Sequence, residues 1–171
     1  MSATPLAQIP VGVVVERRKA DSQWIDFTWR ATTVLPGAPA AAPWTQLSAA
    51  ADVASFYAGA ADIALYRSET AHYRDNLASG NPALWVALRP TGVEPPYDLV
   101  AVTADPSEGE AYTQNGDHLV EAVPMPQSIR EFIDAFVAEH HVETPFYKRK
   151  RDRANPDALA RRGPMSKDKP R

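Results

Sequence analysis

The sequence predicts an α+β domain: a mostly antiparallel β-sheet or open barrel of about eight short strands, one C-terminal amphipathic helix packed on it, and a basic tail. Short apolar or alternating segments separated by turn residues run from residue 9 to residue 123, which is typical of antiparallel strands. One apolar stripe with helical spacing follows, and basic residues are concentrated after it. This order, strands first and a helix last, argues against a doubly wound nucleotide-binding fold.

The first two predicted strands form a pair. Residues 9–15 are an apolar, β-branched run ended by four charged residues, which suits a mostly buried strand. From Trp24 to Val34 polar and apolar residues alternate, which predicts a long second strand paired with the first. Pro36 and Gly37 end it, because proline fixes φ and glycine accepts a positive φ in a turn.

The middle of the chain gives weaker signals. Residues 36–61 are rich in alanine and proline and predict a long loop with room for a helical turn, held on the domain by Trp44. Residues 63–67 predict a strand, and residues 71–77 predict a second strand that forms a hairpin with it. A helix over residues 71–77 is the competing interpretation, because so short a segment fits both patterns.

Further strands are predicted at residues 84–88 and 97–103, where apolar residues are bounded by turn signals. The dipeptide Asn115-Gly116 is the strongest hairpin signal in the chain, because a type I′ turn needs a positive φ at both central positions. It predicts a hairpin that joins residues 110–113 to residues 118–123.

One helix is predicted from near Pro126 to near His140, since proline fits a helix start. Its apolar stripe consists of Ile129, Phe132, Ile133, Phe136 and Val137. Each large side chain that is fully buried contributes roughly 1.5–3 kcal/mol, so the stripe is expected to pack on the sheet.

The charge distribution predicts one globular domain at residues 1–145 and a basic, partly disordered tail at residues 146–171. The tail has ten Lys and Arg residues and three Asp residues, a net charge of +7. The rest of the chain has eight basic and eighteen acidic residues, a net charge of −10. A tail of this kind can fold back on the acidic domain, bind an acidic partner or remain solvated.

Several classes of function are disfavoured by what the sequence lacks. It has no cysteine for disulfides, thiolate catalysis or Cys-ligated metals, and no glycine-rich phosphate loop or G-x-S-x-G nucleophile turn. No apolar run is long enough to span a membrane, and the N-terminus does not resemble a secretory leader. These observations predict a cytoplasmic protein. The acidic domain argues against a nucleic-acid partner.

The histidines are the candidate ligands for a metal ion. His140 or His141 could join Glu143 and one of the other histidines, His72 or His118, to ligate zinc or iron, because imidazole and carboxylate suit both ions. Adjacent histidines point in different directions, however, and near a helix C-terminus they interact favourably with its dipole. Carboxylate pairs such as Glu69 with Asp75 are interpreted as solvated. The sequence therefore predicts no metal site and no cofactor.

Two groups of residues are candidates for binding. The first, predicted to be the principal contact with a protein partner, consists of Phe146, Tyr147, Lys148, Arg149, Lys150 and Arg151. Two rings can be buried in a groove while the charges accelerate encounter with an acidic surface, although packing of Phe146 on its own domain is an equal alternative. The second group, for an anionic ligand, consists of Arg67, His72 and Arg74, because arginine captures such groups with paired hydrogen bonds.

Several motifs together resemble a proteobacterial family described as a domain of unknown function. They are VGVVVERR (11–18), W-x-D-x-x-WR (24–30) with VLPGA (34–38), YR-x-ET-x-x-YR-x-NL (66–77), EAVPMP (121–126) and HHVETPFYKRKRDR (140–153). Members of that family are encoded near the genes of molybdenum-dependent formate dehydrogenases. Some carry a label as molybdenum-cofactor biosynthesis proteins, but the nucleotide loop of a guanylyltransferase is missing here.

The resemblance implies a non-catalytic accessory or assembly protein of a formate dehydrogenase-type molybdoenzyme, acting by protein–protein binding. Its partner would be a subunit of that enzyme or a maturation factor. The alternative hypothesis is a small-molecule-binding barrel, or an enzyme, that handles an anionic ligand such as formate or a molybdopterin-type cofactor.

Overall fold

The computed structural model describes residues 2–143, which form an α+β fold with two antiparallel sheets. This confirms the predicted fold class. In chain order the elements are β1 (Ala7–Lys19), β2 (Phe27–Pro36), β3 (Thr45–Ala49), β4 (Val53–Leu65), a 3-10 turn (Arg67–Glu69), α1 (Thr70–Ala78), β5 (Ala83–Pro90), β6 (Tyr97–Thr103), α2 (Pro106–Gln114), β7 (Leu119–Pro124) and α3 (Gln127–His140). The described residues thus contain seven strands where about eight were expected, and three α-helices where one was expected.

The larger sheet has the strand order β2-β1-β4-β3. Its inner strand β1 has one register shift with each neighbour, between Val13 and Val14 against β4 and between Val14 and Val15 against β2. The extra residues lie on the partner strands, Ala58 in β4 and Thr32 in β2. The edge strand β3 has five exposed residues and a further register shift between Gln46 and Ser48. The pairing of the first two predicted strands is confirmed, although β2 begins at Phe27 rather than at Trp24.

The smaller sheet has the order β6-β5-β7 and meets the larger one through contacts of β4 with β6 and of β2 with β7. Hydrogen bonding within the described residues does not close the two sheets into a barrel. The core between the elements is aliphatic. Its most deeply buried members include Val11, Val13, Val15, Ile63, Leu65, Leu84, Val86, Leu88, Ile129 and Ile133.

Helix α3 was correctly predicted in type and bounds, and four of the five stripe residues are buried. Phe132 is the exception, because its side chain is 46% exposed while Phe136 is 5% exposed. Phe136 packs against Tyr73 of α1, with ring centroids 6.2 Å apart. The stripe is therefore narrower than the sequence indicates, and the expectation that Phe132 belongs to the core is wrong.

The expected loop over residues 36–61 is wrong from residue 45 onward, because β3 and most of β4 lie there. Alanine and glycine have low strand propensity, so the segment carries no strand signal of its own. Here β4 pairs with β1 from Val53 to Leu65 and buries Ala54, Tyr57 and Ala58. The segment forms a strand because it pairs with β1, a strongly apolar strand that is distant in the sequence.

The strand expected at residues 71–77 is also wrong, and the competing helix interpretation is correct, because these residues form α1. Its buried face carries Thr70, Tyr73 and Asn76, three polar residues spaced by three positions. Such a face gives almost no hydrophobic periodicity, although its side chains find hydrogen-bond partners when folded.

Residues 110–113 belong to α2 rather than to a hairpin strand. Pro106 occupies the first turn of α2, and Asp105 caps it by accepting a hydrogen bond from the Ser107 amide at 2.9 Å. Only one of the two residues expected in a type I′ turn has a positive φ, since φ is +82° at Gly116 and −92° at Asn115. The Asn-Gly pair therefore follows a helix end.

Helix α2 lies very close to β5 at Gly109. A Cβ atom at this position would lie 2.7 Å from both Cβ and Cδ1 of Trp85, which is well inside van der Waals contact. Glycine is required here because the indole occupies the space of a side chain.

The predicted tail at residues 146–171, including Phe146 to Arg151, lies outside the described residues. Among the helices of residues 2–143, none combines the length and apolar character needed to cross a bilayer.

Candidate functional site

Three titratable side chains meet where the start of α1 faces the start of α2. Glu69 immediately precedes α1, His72 lies in its first turn, and Asp105 caps α2. His72 Nδ1 lies 3.0 Å from Glu69 Oε2 and 3.0 Å from Asp105 Oδ1. The interpretation of Glu69 as a solvated carboxylate next to Asp75 was therefore incomplete, because the fold brings it to an imidazole. We call these three residues the Glu-His-Asp cluster.

The cluster combines a buried and an accessible side. The side chain of Asp105 is only 8% exposed, whereas that of His72 is 43% exposed. The His72 Nδ1 atom is itself buried and, among the described residues, has no correctly oriented hydrogen-bond partner. Both carboxylates approach it closely, but from directions that are poor for an N–H donor.

The surrounding charges favour a cation at this point. The close contact with Asp105 raises the pKa of His72, and the charges of Asp105, Glu69 and Asp75 act in the same direction, while burial opposes them. The contact thus favours a positive charge even though its direction is poor for hydrogen bonding.

Local hydrogen bonds hold Asp105 in place. Its amide donates to Thr103 Oγ1 at 3.1 Å, and the Thr103 hydroxyl donates to Glu108 Oε2 at 2.7 Å. Asn76 of α1 donates to the carbonyl oxygen of Ala104 at 2.9 Å, one residue before Asp105. Helix α1 is thereby tied directly to the segment that carries the acidic member of the cluster.

The structure does not bring the three residues proposed to bind an anionic ligand to one common site. His72 faces two carboxylates, whereas Arg74 lies two positions further along α1, about 200° around the helix axis. Arg74 Nη1 contacts His141 Nε2 at 2.9 Å, and Arg67 lies in the 3-10 turn before α1. Arg74 lines a surface cleft of about 340 Å³ with Arg130, and neither Arg67 nor His72 lines it.

The adjacent histidines at the end of α3 point in different directions, as expected. The His140 ring packs on Phe136 with centroids 4.6 Å apart. His141 Nδ1 lies 3.0 Å from Thr70 Oγ1, whose hydroxyl donates to the Arg67 carbonyl. Because arginine can only donate and the hydroxyl proton is already engaged, Nδ1–H of a neutral His141 donates to Thr70 and Nε2 accepts from Arg74.

A second feature lies at the turn between β1 and β2. Trp24 is 91% exposed, and Ile25 and Phe27 beside it are also exposed. The guanidinium of Arg17 lies over the Phe27 ring, 4.4 Å from its centroid. Ile25, Phe27 and Arg17 line a cleft of about 590 Å³. We call Trp24, Ile25 and Phe27 the hairpin patch.

The hairpin patch continues the interior face of the larger sheet. Along β2, Ala31 is buried, Trp29 is half-buried and Phe27 is exposed, and all three lie on one face because side chains alternate. Trp29 contacts three further rings, those of Trp44, Phe56 and Tyr97, at centroid distances of 6.0, 5.7 and 6.1 Å. The sheet thus extends beyond its packed core and ends in accessible rings. The alternation from Trp24 onward was visible in the sequence, but the exposure was not.

A comparison with protein families matches residues 10–150 to the family described as "Protein of unknown function (DUF3305)". The chain belongs to the DUF3305 family. The match runs from within β1 to beyond α3 and so includes both the Glu-His-Asp cluster and the hairpin patch. No curated protein and no solved structure matches this DUF3305 chain.

Proposed function

We propose that this DUF3305 protein is a non-catalytic accessory or assembly protein that acts in the cytoplasm by binding another protein. The proposed partner is a subunit, or a maturation factor, of a formate dehydrogenase-type molybdoenzyme. The choice of partner rests on the sequence motifs at residues 11–18, 24–30, 34–38, 66–77, 121–126 and 140–153, which resemble proteins encoded beside such enzymes.

The observation that carries the binding role is the hairpin patch. A tryptophan that is 91% exposed beside exposed isoleucine and phenylalanine side chains is unusual for a free surface, because large aromatic groups are normally covered. Tryptophan is also the residue type most enriched among the side chains that dominate binding energy.

The cleft beside the hairpin patch indicates the chemistry of the partner. Arg17 and Lys19 line it together with Asp26 and Asp52, so its rim presents both signs of charge around apolar Ile25 and Phe27. This surface fits a polypeptide segment whose apolar side chains are flanked by charged ones. The basic segment from Lys148 to Arg151 would add a second contact, to an acidic region of the same partner.

The test is co-purification of the full-length protein with its partners from the native host, followed by binding of the purified partner. Replacing Trp24 and Phe27 by serine is expected to weaken binding of an identified molybdoenzyme subunit at least about tenfold, as for loss of interface anchors. Phe132→Ser is the matched control, because it removes an exposed ring from α3. Unchanged binding by the patch variant, or loss in both variants, would contradict the proposed surface.

The contribution of the tail is measured separately. In a full-length variant with Lys148, Arg149, Lys150 and Arg151 replaced by serine, we expect slower association and a weaker dependence of the rate on salt. An unchanged association rate over a range of salt concentrations would remove this segment from the interface.

A second candidate function is binding of an anionic small molecule. The observation that favours it is the cleft that Arg74 and Arg130 line with Glu131 and Asp134, since guanidinium groups suit carboxylates and phosphates. Equilibrium titration of the purified protein with formate and with molybdopterin-type cofactor tests this candidate. Saturable binding that Arg74→Gln and Arg130→Gln abolish would establish it and displace the purely protein-binding role.

A further inference from the structure

From the geometry of the Glu-His-Asp cluster, we propose that Glu69, His72 and Asp105 form a binding site for a divalent transition-metal ion of the Zn²⁺ class. The site lies between α1 and α2, on elements separate from the β1–β2 hairpin patch, so it does not depend on the proposed partner.

The two distances from the histidine nitrogen to the carboxylate oxygens fit a single ion. Bonds of about 2.1 Å to one Zn²⁺ ion place neighbouring ligand atoms roughly 3.0–3.4 Å apart. His72 Nδ1 lies 3.0 Å from an oxygen of Glu69 and 3.0 Å from an oxygen of Asp105. All three donor atoms lie within 4.8 Å of one another.

An independent observation is the hydrogen-bonding state of the histidine. His72 Nδ1 is buried, and within residues 2–143 it has no hydrogen-bond partner of acceptable direction. Both carboxylate oxygens are in ion-pair contact with it at 3.0 Å, but neither lies in a direction that uses its hydrogen-bonding capacity well. Coordination to a metal satisfies Nδ1 through its lone pair and removes the need for an N–H donor aligned with either oxygen.

The fold supplies the ligands with little freedom of movement. Glu69 and His72 are three positions apart at the start of α1, a spacing that places two side chains on one face of a helix. Asp105 is more than nine-tenths buried, and its Oδ1 already accepts the Ser107 amide. Carboxylate oxygens have two lone pairs, so this cap leaves one free for an ion.

The ligand set identifies the class of ion. One imidazole and two carboxylates suit Zn²⁺, Fe²⁺ or Mn²⁺, and two negative charges compensate a divalent ion. Three protein ligands leave at least one coordination position for solvent or a further ligand. A proton on Nδ1 is the competing occupant, and it would leave the histidine paired with both carboxylates.

The test uses the full-length protein, freed of metal by chelation, in a calorimetric titration with ZnCl₂. We expect one Zn²⁺ ion per chain with a micromolar or tighter Kd. Asp105→Asn keeps a residue that caps helices well and removes the charge, while Glu69→Gln and His72→Ala remove the other two ligands. Each change is expected to weaken Zn²⁺ binding at least about tenfold.

His118→Ala is the matched control, because it removes an imidazole outside the cluster and is expected to leave the Kd unchanged. Thermal unfolding of each variant in chelator verifies the fold, and Glu69→Gln carries the test if Asp105→Asn unfolds. The NMR signals of the His72 ring report direct ligation in the unmodified protein. The proposal is overturned if the protein shows no saturable Zn²⁺ binding, or if Glu69→Gln binds as tightly as the unmodified protein.

Discussion

The side-chain amide of Asn76 donates to the main-chain oxygen of Ala104 at 2.9 Å. The same Nδ2 atom donates to the carbonyl of Ala83 at 2.8 Å, and Oδ1 accepts the Ala83 amide at 3.0 Å. Asn76 is buried, so one side chain joins α1 to the start of β5 and to the end of β6. These bonds hold the helix that carries His72 next to the segment that carries Asp105.

We expect Asn76→Ala to lower the free energy of unfolding by about 3 kcal/mol, because it leaves buried main-chain groups without partners. Chemical denaturation measures this change. Asn81→Ala is the control, since Asn81 is exposed and substitution at such a site stays within about 0.5 kcal/mol. Equal stability of the two variants would show that water replaces the Asn76 bonds.

Phe136→Ala is expected to lower the free energy of unfolding by about 3–5 kcal/mol, because the ring is buried against Tyr73 and His140. Phe132→Ala on the same helix is expected to cost less than about 1 kcal/mol, because nearly half of that side chain is already in water. Thermal and denaturant unfolding of both variants give the comparison. A similar large loss in both would mean that Phe132 is covered in solution.

Burial raises the pKa of Tyr112 above its ordinary value, and the carboxylate of Glu108 raises it further. The unfolded chain therefore releases this phenolic proton at lower pH than the folded protein, so the contribution of Tyr112 to stability is lost as pH rises above about 10. Glu108→Gln is expected to lower the pKa of Tyr112 and to reduce that alkaline loss, while keeping an acceptor for Thr103.

The measurement is a titration of the tyrosine ring carbons by NMR, with Tyr112→Phe to assign the signal. Glu131→Gln is a suitable control, because it removes a carboxylate from α3, a different helix. A Tyr112 pKa that is unchanged by Glu108→Gln would assign the whole shift to burial.

Gly109→Ala is expected to destabilise the protein, although alanine favours a helix by about 1 kcal/mol over glycine. The new methyl group would collide with the Trp85 side chain. A double-mutant cycle with Trp85→Ala separates the two effects, because alanine at position 109 should become neutral or stabilising once the indole is removed. The same loss in both backgrounds would place the strain elsewhere.

The accuracy of the sequence predictions follows the strength of the local hydrophobic pattern. Helix α3, β5 and β6 have strong stripes or apolar runs, and these predictions hold. Strand β4 is rich in alanine and obtains its order from pairing with β1. Helix α1 buries polar residues that form hydrogen bonds with distant main-chain groups. The hydrophobic pattern of the sequence gives no sign of such partners.

Helix α2 had a local signal that the Asn-Gly pair obscured. Asp105 followed by Pro106 and Glu108 is typical of a helix start, with a capping residue, proline in the first turn and an acidic third position. Without a prediction of helix α2, the Glu-His-Asp cluster could not be predicted either. Glu69 and His72 share a face only if residues 70–78 are helical, and Asp105 approaches them only through the packing of α1 and α2.

Strand β3 also has a consequence for the behaviour of the protein at high concentration. One side of this edge strand has no neighbouring strand within the described residues, and such an edge can recruit a strand from another molecule. Here the edge is only five residues long, and the register shift between Gln46 and Ser48 interrupts its hydrogen-bonding pattern. A short, bulged edge is a poor template for intermolecular β-pairing, so β3 protects the larger sheet against aggregation on that side.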